Sequence, residues 1–176
     1  MVKYSTTFKL IIAGDGGVGK TSLTNKYITG VFNPAQKITI GVEFFIKDVT
    51  LDGIGTVRLQ IWDFGGEDRF RFLLPTYVNG ANGVLYLFSI TDMQTLTHID
   101  EWLQILRSYD SKIPIMVVGS KADLEYMRKV QSHEGVTIAK NKRCKGYVEV
   151  SAKNGVNVEI TFETISKLMW SYSQRS

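Results

Sequence analysis

The stretch "GDGGVGKTS", Gly14 to Ser22, sets glycines, a lysine and a hydroxyl at fixed offsets. From Gly14 to Thr21 it matches G-x-x-x-x-G-K-[ST], between a β-branched run and a helical segment. Those residue types suit phosphate chemistry. Glycines let several backbone N–H groups turn on one anion with no Cβ in the way, and a helix N-terminus adds a favourable dipole. Gly16, Gly17, Val18 and Gly19 are the expected cradle, continued by Ser22. Lys20 is expected to reach the β- and γ-phosphates, and the Thr21 hydroxyl to bind Mg²⁺.

A phosphate loop alone does not choose the base. "GSKAD" (119–123) follows the buried-strand pattern "IPIMVVG", and "VSAK" (150–153) follows the last apolar run. Both fall where ligand residues belong, at the carboxyl ends of strands. An ionised Asp123 only accepts hydrogen bonds, which suits guanine, whose N1–H and 2-amino group both donate. Adenine offers no such pair, and a buried carboxylate left unpaired discriminates strongly. The Lys121 stem is placed to lie along the base. A further stretch, "IWDFGGEDRF" (61–70), ends a strand on Asp63 and turns on Gly66.

The elements that must position these residues alternate along the chain. "FKLIIAG" (8–14), "GVLYLFSI" (83–90), "IPIMVVG" (113–119) and "GYVEVSA" (146–152) are short β-branched runs, as expected of strands buried on both faces. "TIGVEFFIKDVTL" and "TVRLQIWDF" flank "DGIG" and predict an antiparallel pair. Leu96, Ile99, Leu103 and Leu106, then Val158, Phe162, Ile165 and Met169, recur at helical spacing and predict two core faces. The expected fold is α/β: a doubly wound, mostly parallel sheet with one antiparallel strand and helices on both faces. No repeat or linker interrupts the pattern, so residues 1–176 are expected to form a single domain.

Bulk properties exclude several classes. With 44% hydrophobic and 22% charged residues, the 176-residue chain is expected to be soluble and globular. The single cysteine, Cys144, cannot form an internal bridge, which favours a reducing, cytoplasmic setting. The net charge of +4 is mild, and its densest part, "AKNKRCK" (139–145), lacks interleaved aromatics, so nucleic acid is not an expected partner. "MVKYSTTFKL" has no signal-peptide core, and "SYSQRS" has no cysteine to prenylate.

"GDGGVGKTSL", "TIGVEF", "IWDFGGEDRF" and "VSAK", in this order and spacing, resemble the Ras superfamily of small GTPases, and within it the Rab branch, from about Phe8 to Met169. The resemblance implies a GTP/GDP-binding, Mg²⁺-dependent switch. It makes Thr39 the switch I threonine that binds Mg²⁺ and the γ-phosphate, Asp63 a water-mediated Mg²⁺ holder, and Gly66 the γ-phosphate-sensing glycine of switch II. Phe32 would pack on the guanine, and the Ala152 N–H would meet its carbonyl, between Ser151 and Lys153. Phe44, Trp62 and Tyr77 match the aromatic trio that meets effectors.

Three departures stand out against that resemblance. Ser120 replaces an asparagine that bonds the base and braces the phosphate loop. Phe64 and Gly65 replace a Thr-Ala pair, and Glu67 replaces the catalytic glutamine. Arg69 and Arg71 are expected as switch II surface charges. The expected activity is slow hydrolysis of GTP to GDP, with Lys20, Thr39, Gly66 and Glu67 as catalytic residues. The alternative is a GTP-binding scaffold with little turnover; an ATP-dependent kinase is disfavoured by Asp123. Effector, exchange-factor and GTPase-activating proteins are the expected partners, the chain otherwise a monomer. Membrane contact is expected only through a partner or a missing tail.

Overall fold

The computed structural model describes residues 6–175; the expectations for "MVKYS" and for Ser176 lie outside it. The predicted strands form as β1 (Thr6–Ala13), β2 (Val42–Leu51), β3 (Gly55–Phe64), β4 (Gly83–Ser89), β5 (Ile115–Ser120) and β6 (Gly146–Glu149). They make one sheet in the order β2-β3-β1-β4-β5-β6. Only β2 runs antiparallel, paired with β3 through the turn at "DGI". The other pairings are parallel.

Helices cover both faces: α1 (Lys20–Thr29), α2 (Leu74–Val78), α3 (Met93–Thr97), α4 (Ile99–Leu106), α5 (Ser132–Asn141) and α6 (Val158–Ser173). The strand period of two divides the core between the faces. Phe8, Leu10 and Ile12 of β1 join Leu23 of α1 and Phe162, Ile165 and Met169 of α6. Ile11 and Ala13 turn the other way, to Leu96, Ile99, Trp102, Leu103 and Leu106. Both predicted helical stripes therefore face the core. The first stripe is carried by two short helices instead of one, broken at His98 (φ −71°, ψ −1°). At that step the His98 ring meets a carboxylate of the phosphate loop, Asp15.

Parallel neighbours bring the ends of β1, β3, β4 and β5 to one edge, where the loops carrying the predicted chemistry converge. Among the described residues, no helix is long and apolar enough to cross a membrane.

Candidate nucleotide site

At that edge lies a cavity of about 790 Å³, within the usual range for small-molecule sites. Its walls bring together segments far apart in sequence. Gly16, Gly17, Val18, Gly19, Lys20, Thr21 and Ser22 form one side, Phe32 and Thr39 a second, and Gly66 and Glu67 a third. Ser120, Lys121, Asp123, Ala152 and Lys153 close the far corner. Of the predicted nucleotide residues only Ser151 stands off this wall. It is fully buried, and its hydroxyl donates to Asp123 Oδ1 at 2.7 Å, so it orients the carboxylate that does line the cavity.

On the phosphate side, Gly19 caps α1 in a left-handed conformation, and Lys20 follows as a buried cation. Its Nζ donates to the carbonyls of Gly14 (2.8 Å) and Asp15 (2.7 Å). Burial pulls the Lys20 ammonium down to about 8, against the attraction of Asp63 and Asp15. Gly66 lies so near that a Cβ there would sit 2.3 Å from the Asp15 carbonyl carbon and 2.4 Å from Lys20 Nζ. No other residue type fits at 66 unless the loop moves.

Beside Lys20 a chain of oxygens forms. Thr21 Oγ1 donates to Asp63 Oδ2, and Thr39 Oγ1 lies 2.6 Å from Thr21 Oγ1. Since Thr21 gives its one proton to Asp63, Thr39 is the donor in the second contact. Asp63 is fully buried, and its Oδ1 has no partner. Burial outweighs the Thr21 bond and Lys20 and pushes the Asp63 carboxyl up to about 6. An anion so poorly compensated is a fit for a cation. Among the described residues no three His, Cys, Asp or Glu side chains are arranged to hold a metal ion by themselves. Few carboxylates with hydroxyls close by is the donor set of Mg²⁺ held jointly by protein and phosphate oxygens.

At the base corner, Lys121 takes a left-handed backbone (φ 63°) and donates from Nζ to the Gly17 carbonyl at 2.7 Å, joining this corner to the phosphate loop. Ser120 Oγ reaches both Val18 O (2.5 Å) and Phe88 O (2.9 Å). A hydroxyl has one proton for these two acceptors. The loop brace expected to disappear with the asparagine is thus kept by the serine.

Arg71 departs from its expected place. Its side chain is only 17% exposed and bonds Asp15 Oδ1 (3.0 Å), Asp68 (3.1 Å) and Glu101 (2.7 Å), with the guanidinium over Trp102. Trp102 Nε1 also donates to Asp15 Oδ1 (2.8 Å), and His98 Nδ1 meets Oδ2 (2.5 Å). The hydrogen bond that His98 donates to the Asp15 carboxylate raises the His98 pKa. Sequence reasoning missed this Asp15 cluster, because its members lie 56 to 87 residues from Asp15. Arg69 is exposed as expected, and its Nε pairs with Glu67 Oε2 at 2.5 Å. Phe44, Trp62 and Tyr77 touch in series, with centroids 4.9 and 5.4 Å apart.

A buried lysine on a glycine loop, an oxygen chain around Asp63 and a carboxylate, Asp123, at the far corner of one α/β cleft define a phosphate-loop nucleotide-binding fold. The sequence model of the Ras family matches residues 9–171. The chain is 40% identical over 164 residues to the Ras-related protein RGP2 of Oryza sativa subsp. japonica, covering 93% of this chain and 75% of that protein. It is 38% identical to the Ras-related protein Rab2BV of Beta vulgaris (93% and 76%) and 39% identical to the Ras-related protein RABA2d of Arabidopsis thaliana (92% and 74%). The chain belongs to the Ras family, small GTP-binding switch proteins that hydrolyse GTP to GDP.

Proposed function

We propose that the chain binds GTP or GDP in this cavity together with Mg²⁺, hydrolyses GTP slowly, and acts as a Rab-like switch in membrane traffic. One observation carries most of the weight: a single cavity is lined by the phosphate loop at one end and by Asp123, Ala152 and Lys153 at the other. Asp123, oriented by Ser151, accepts from the guanine donor pair. The loop amides of Gly16 to Ser22 and Lys20 Nζ hold the phosphates, and Phe32 covers the base. Thr21 and Thr39 supply hydroxyl oxygens, and Asp63 the carboxylate, toward Mg²⁺, whose charge offsets that developing on the phosphates. Gly66 meets the γ-phosphate, and Glu67 orients the attacking water as an acceptor, the donor of a glutamine being absent.

Partners then read the Phe44–Trp62–Tyr77 surface and the segments around Thr39 and Gly66 by their differential affinity for the two nucleotide states. The chain works as a cytoplasmic monomer that meets membranes peripherally, through a partner or a lipid-bearing tail.

A scaffold reading draws on the Glu67–Arg69 pair, which engages the carboxylate in place of free attack geometry. Two measurements decide. The nucleotide released on denaturing the purified protein should be guanine; an adenine nucleotide would overturn the base assignment. Single-turnover hydrolysis of the parent, Glu67→Gln and Glu67→Ala should then rank the alanine form slowest. One shared rate in all three would favour the scaffold.

A further inference from the structure

Residues 63 to 66 pass from the cation side of the site to the phosphate side, and the pair between them, Phe64 and Gly65, contributes no side-chain donor to either. Phe64 ends β3, paired with Val42. Its ring is buried against Leu74 and Val78 of α2 and lies edge-on to Tyr77, centroids 5.4 Å apart. Beyond the strand, the Gly65 N–H donates to the Gly41 carbonyl at 2.8 Å, which carries the ladder one step further.

Gly65 also permits a contact that another residue would prevent. A Cβ at this position would lie 2.6 Å from the Thr39 carbonyl oxygen, 3.0 Å from Phe70 Cδ2 and 3.2 Å from the Gly41 carbonyl oxygen. Two of these neighbours are backbone atoms that cannot swing aside as a side chain would. The Thr-Ala pair that the family resemblance implies here would therefore push the 39–41 segment outward.

The 39–41 segment has little else to hold it. Ile38 is 70% and Ile40 76% exposed, so neither anchors the backbone. Thr39 is held on one side by its hydroxyl contact to Thr21. A second grip, the Gly65 N–H bond to the Gly41 carbonyl, holds the segment two residues on, where the missing Cβ lets Gly65 pass close to the Thr39 carbonyl. The second grip uses backbone atoms alone and no atom of a nucleotide.

We propose that Gly65, anchored by Phe64, is a positioning residue that holds Thr39 at the phosphate side of the site, so that the order of segment 39–42 does not depend on the γ-phosphate alone. This rests on the assignment of Thr39 as a phosphate- and cation-side residue. A switch so clipped keeps much of its closed arrangement with the diphosphate bound, and discriminates the two nucleotides through segment 66–73 more than through 39–42.

Amide hydrogen exchange of the full chain tests this, with GDP and with a non-hydrolysable GTP analogue, in the parent, Gly65→Ala, Phe64→Thr and Phe64→Leu. In the parent, the Gly65 amide and segment 39–42 should be slowed by about tenfold or more in both states, the states differing by less than about threefold. Gly65→Ala should lose that protection with GDP and recover part of it only with the triphosphate analogue. It should also release GDP several-fold faster, since Thr39 no longer covers the phosphates. Phe64→Leu should keep the protection and Phe64→Thr weaken it, which separates anchoring from general instability. If the parent Gly65 amide exchanges freely with GDP, or if segment 39–42 is indifferent to Gly65→Ala, the clip does not exist. Failure of the nucleotide assignment would show separately, as a parent chain that binds neither nucleotide in a fluorescence titration. Exchange at Gly65 in the free chain would still report on the clip.

Discussion

Ser120 offers the sharpest test of how the fold controls nucleotide residence. Its hydroxyl is buried at the end of β5, between Val18 O at 2.5 Å and Phe88 O at 2.9 Å. Val18 belongs to the phosphate loop and is itself fully buried, so water cannot replace the lost donor in Ser120→Ala. One net hydrogen bond stabilises by about 0.5–1.5 kcal/mol, and leaving a buried acceptor unpaired costs about 1–3 kcal/mol. If that free energy appears in nucleotide affinity, about 1–3 kcal/mol corresponds to about 5- to 150-fold faster release of a fluorescent GDP analogue. Ser120→Asn should act the opposite way, but modestly. The loop brace is already made, and what the longer amide adds is contact with the base, about 0.5–1.5 kcal/mol or about 2- to 13-fold slower release. The assay is dissociation of the analogue into excess GDP, with thermal melts of each variant alongside. A Ser120→Ala protein that melts earlier but releases nucleotide at the parent rate would refute this account, for the hydroxyl would then support the fold without shaping the site.

Asp123→Asn should weaken GTP binding by about 1.5–3 kcal/mol, the worth of a hydrogen bond to a charged group, and raise tolerance of xanthine nucleotide; equal GTP affinity by titration calorimetry would remove the case for guanine. Thr21→Asn should lower GTP affinity in Mg²⁺ far more than in excess EDTA, and Mg²⁺-independent affinity in the parent would rule out the cation assignment. The Arg128 guanidinium holds the Glu149 carboxyl at about 2, below its ordinary 4.5, through bonds of 2.7 and 2.8 Å. A depressed carboxylate stabilises the fold fully above about pH 4.5, and that contribution fades as pH falls toward 2. Arg128→Leu should therefore destabilise by about 1.5–3 kcal/mol at pH 7 and by much less near pH 2.5, measured by urea titration; an equal gap at both pH values would contradict the pairing.

What the sequence made legible is what depends on neighbours along the chain. The phosphate loop needs a strand before it, a helix after it and glycines between, all within "LIIAGDGGVGKTSL", and the folded chain has each in place. Asp123 and Ala152 were legible because parallel strands leave their carboxyl ends at one edge. The illegible features are those created by distant packing. Nothing near Arg71 signals that Trp102 and Asp15 will bury it, and an arginine beside "EDRF" looks like a solvated charge. Ser120 looks like a lost brace until the Val18 carbonyl is found within reach. The helical stripe from Leu96 to Leu106 does not announce its break, which falls at His98, where the ring meets a residue 83 positions away.

The departures from the family pattern share one location. Phe64, Ser120 and Glu67 line the same cavity, and Gly65 touches its Thr39 wall. Glu67 is the hardest of them to reconcile with phosphate binding. An ionised carboxylate about 4–5 Å from a phosphate charge repels it by roughly 3–4 kcal/mol at an effective dielectric near 20. Arg69 changes that balance. A guanidinium held 2.5 Å from the carboxylate attracts the same phosphate charge and offsets part of that repulsion, with Lys20 and a bound cation available to offset more. The carboxylate also stays within the cavity wall while bonded to Arg69, with Cγ 3.7 Å from where a Cβ on Gly16 would lie. On the proposed hydrolytic reading, Glu67 would therefore orient water as one half of an ion pair with Arg69, and removing Arg69 should slow hydrolysis in the same assay that compares the Glu67 variants.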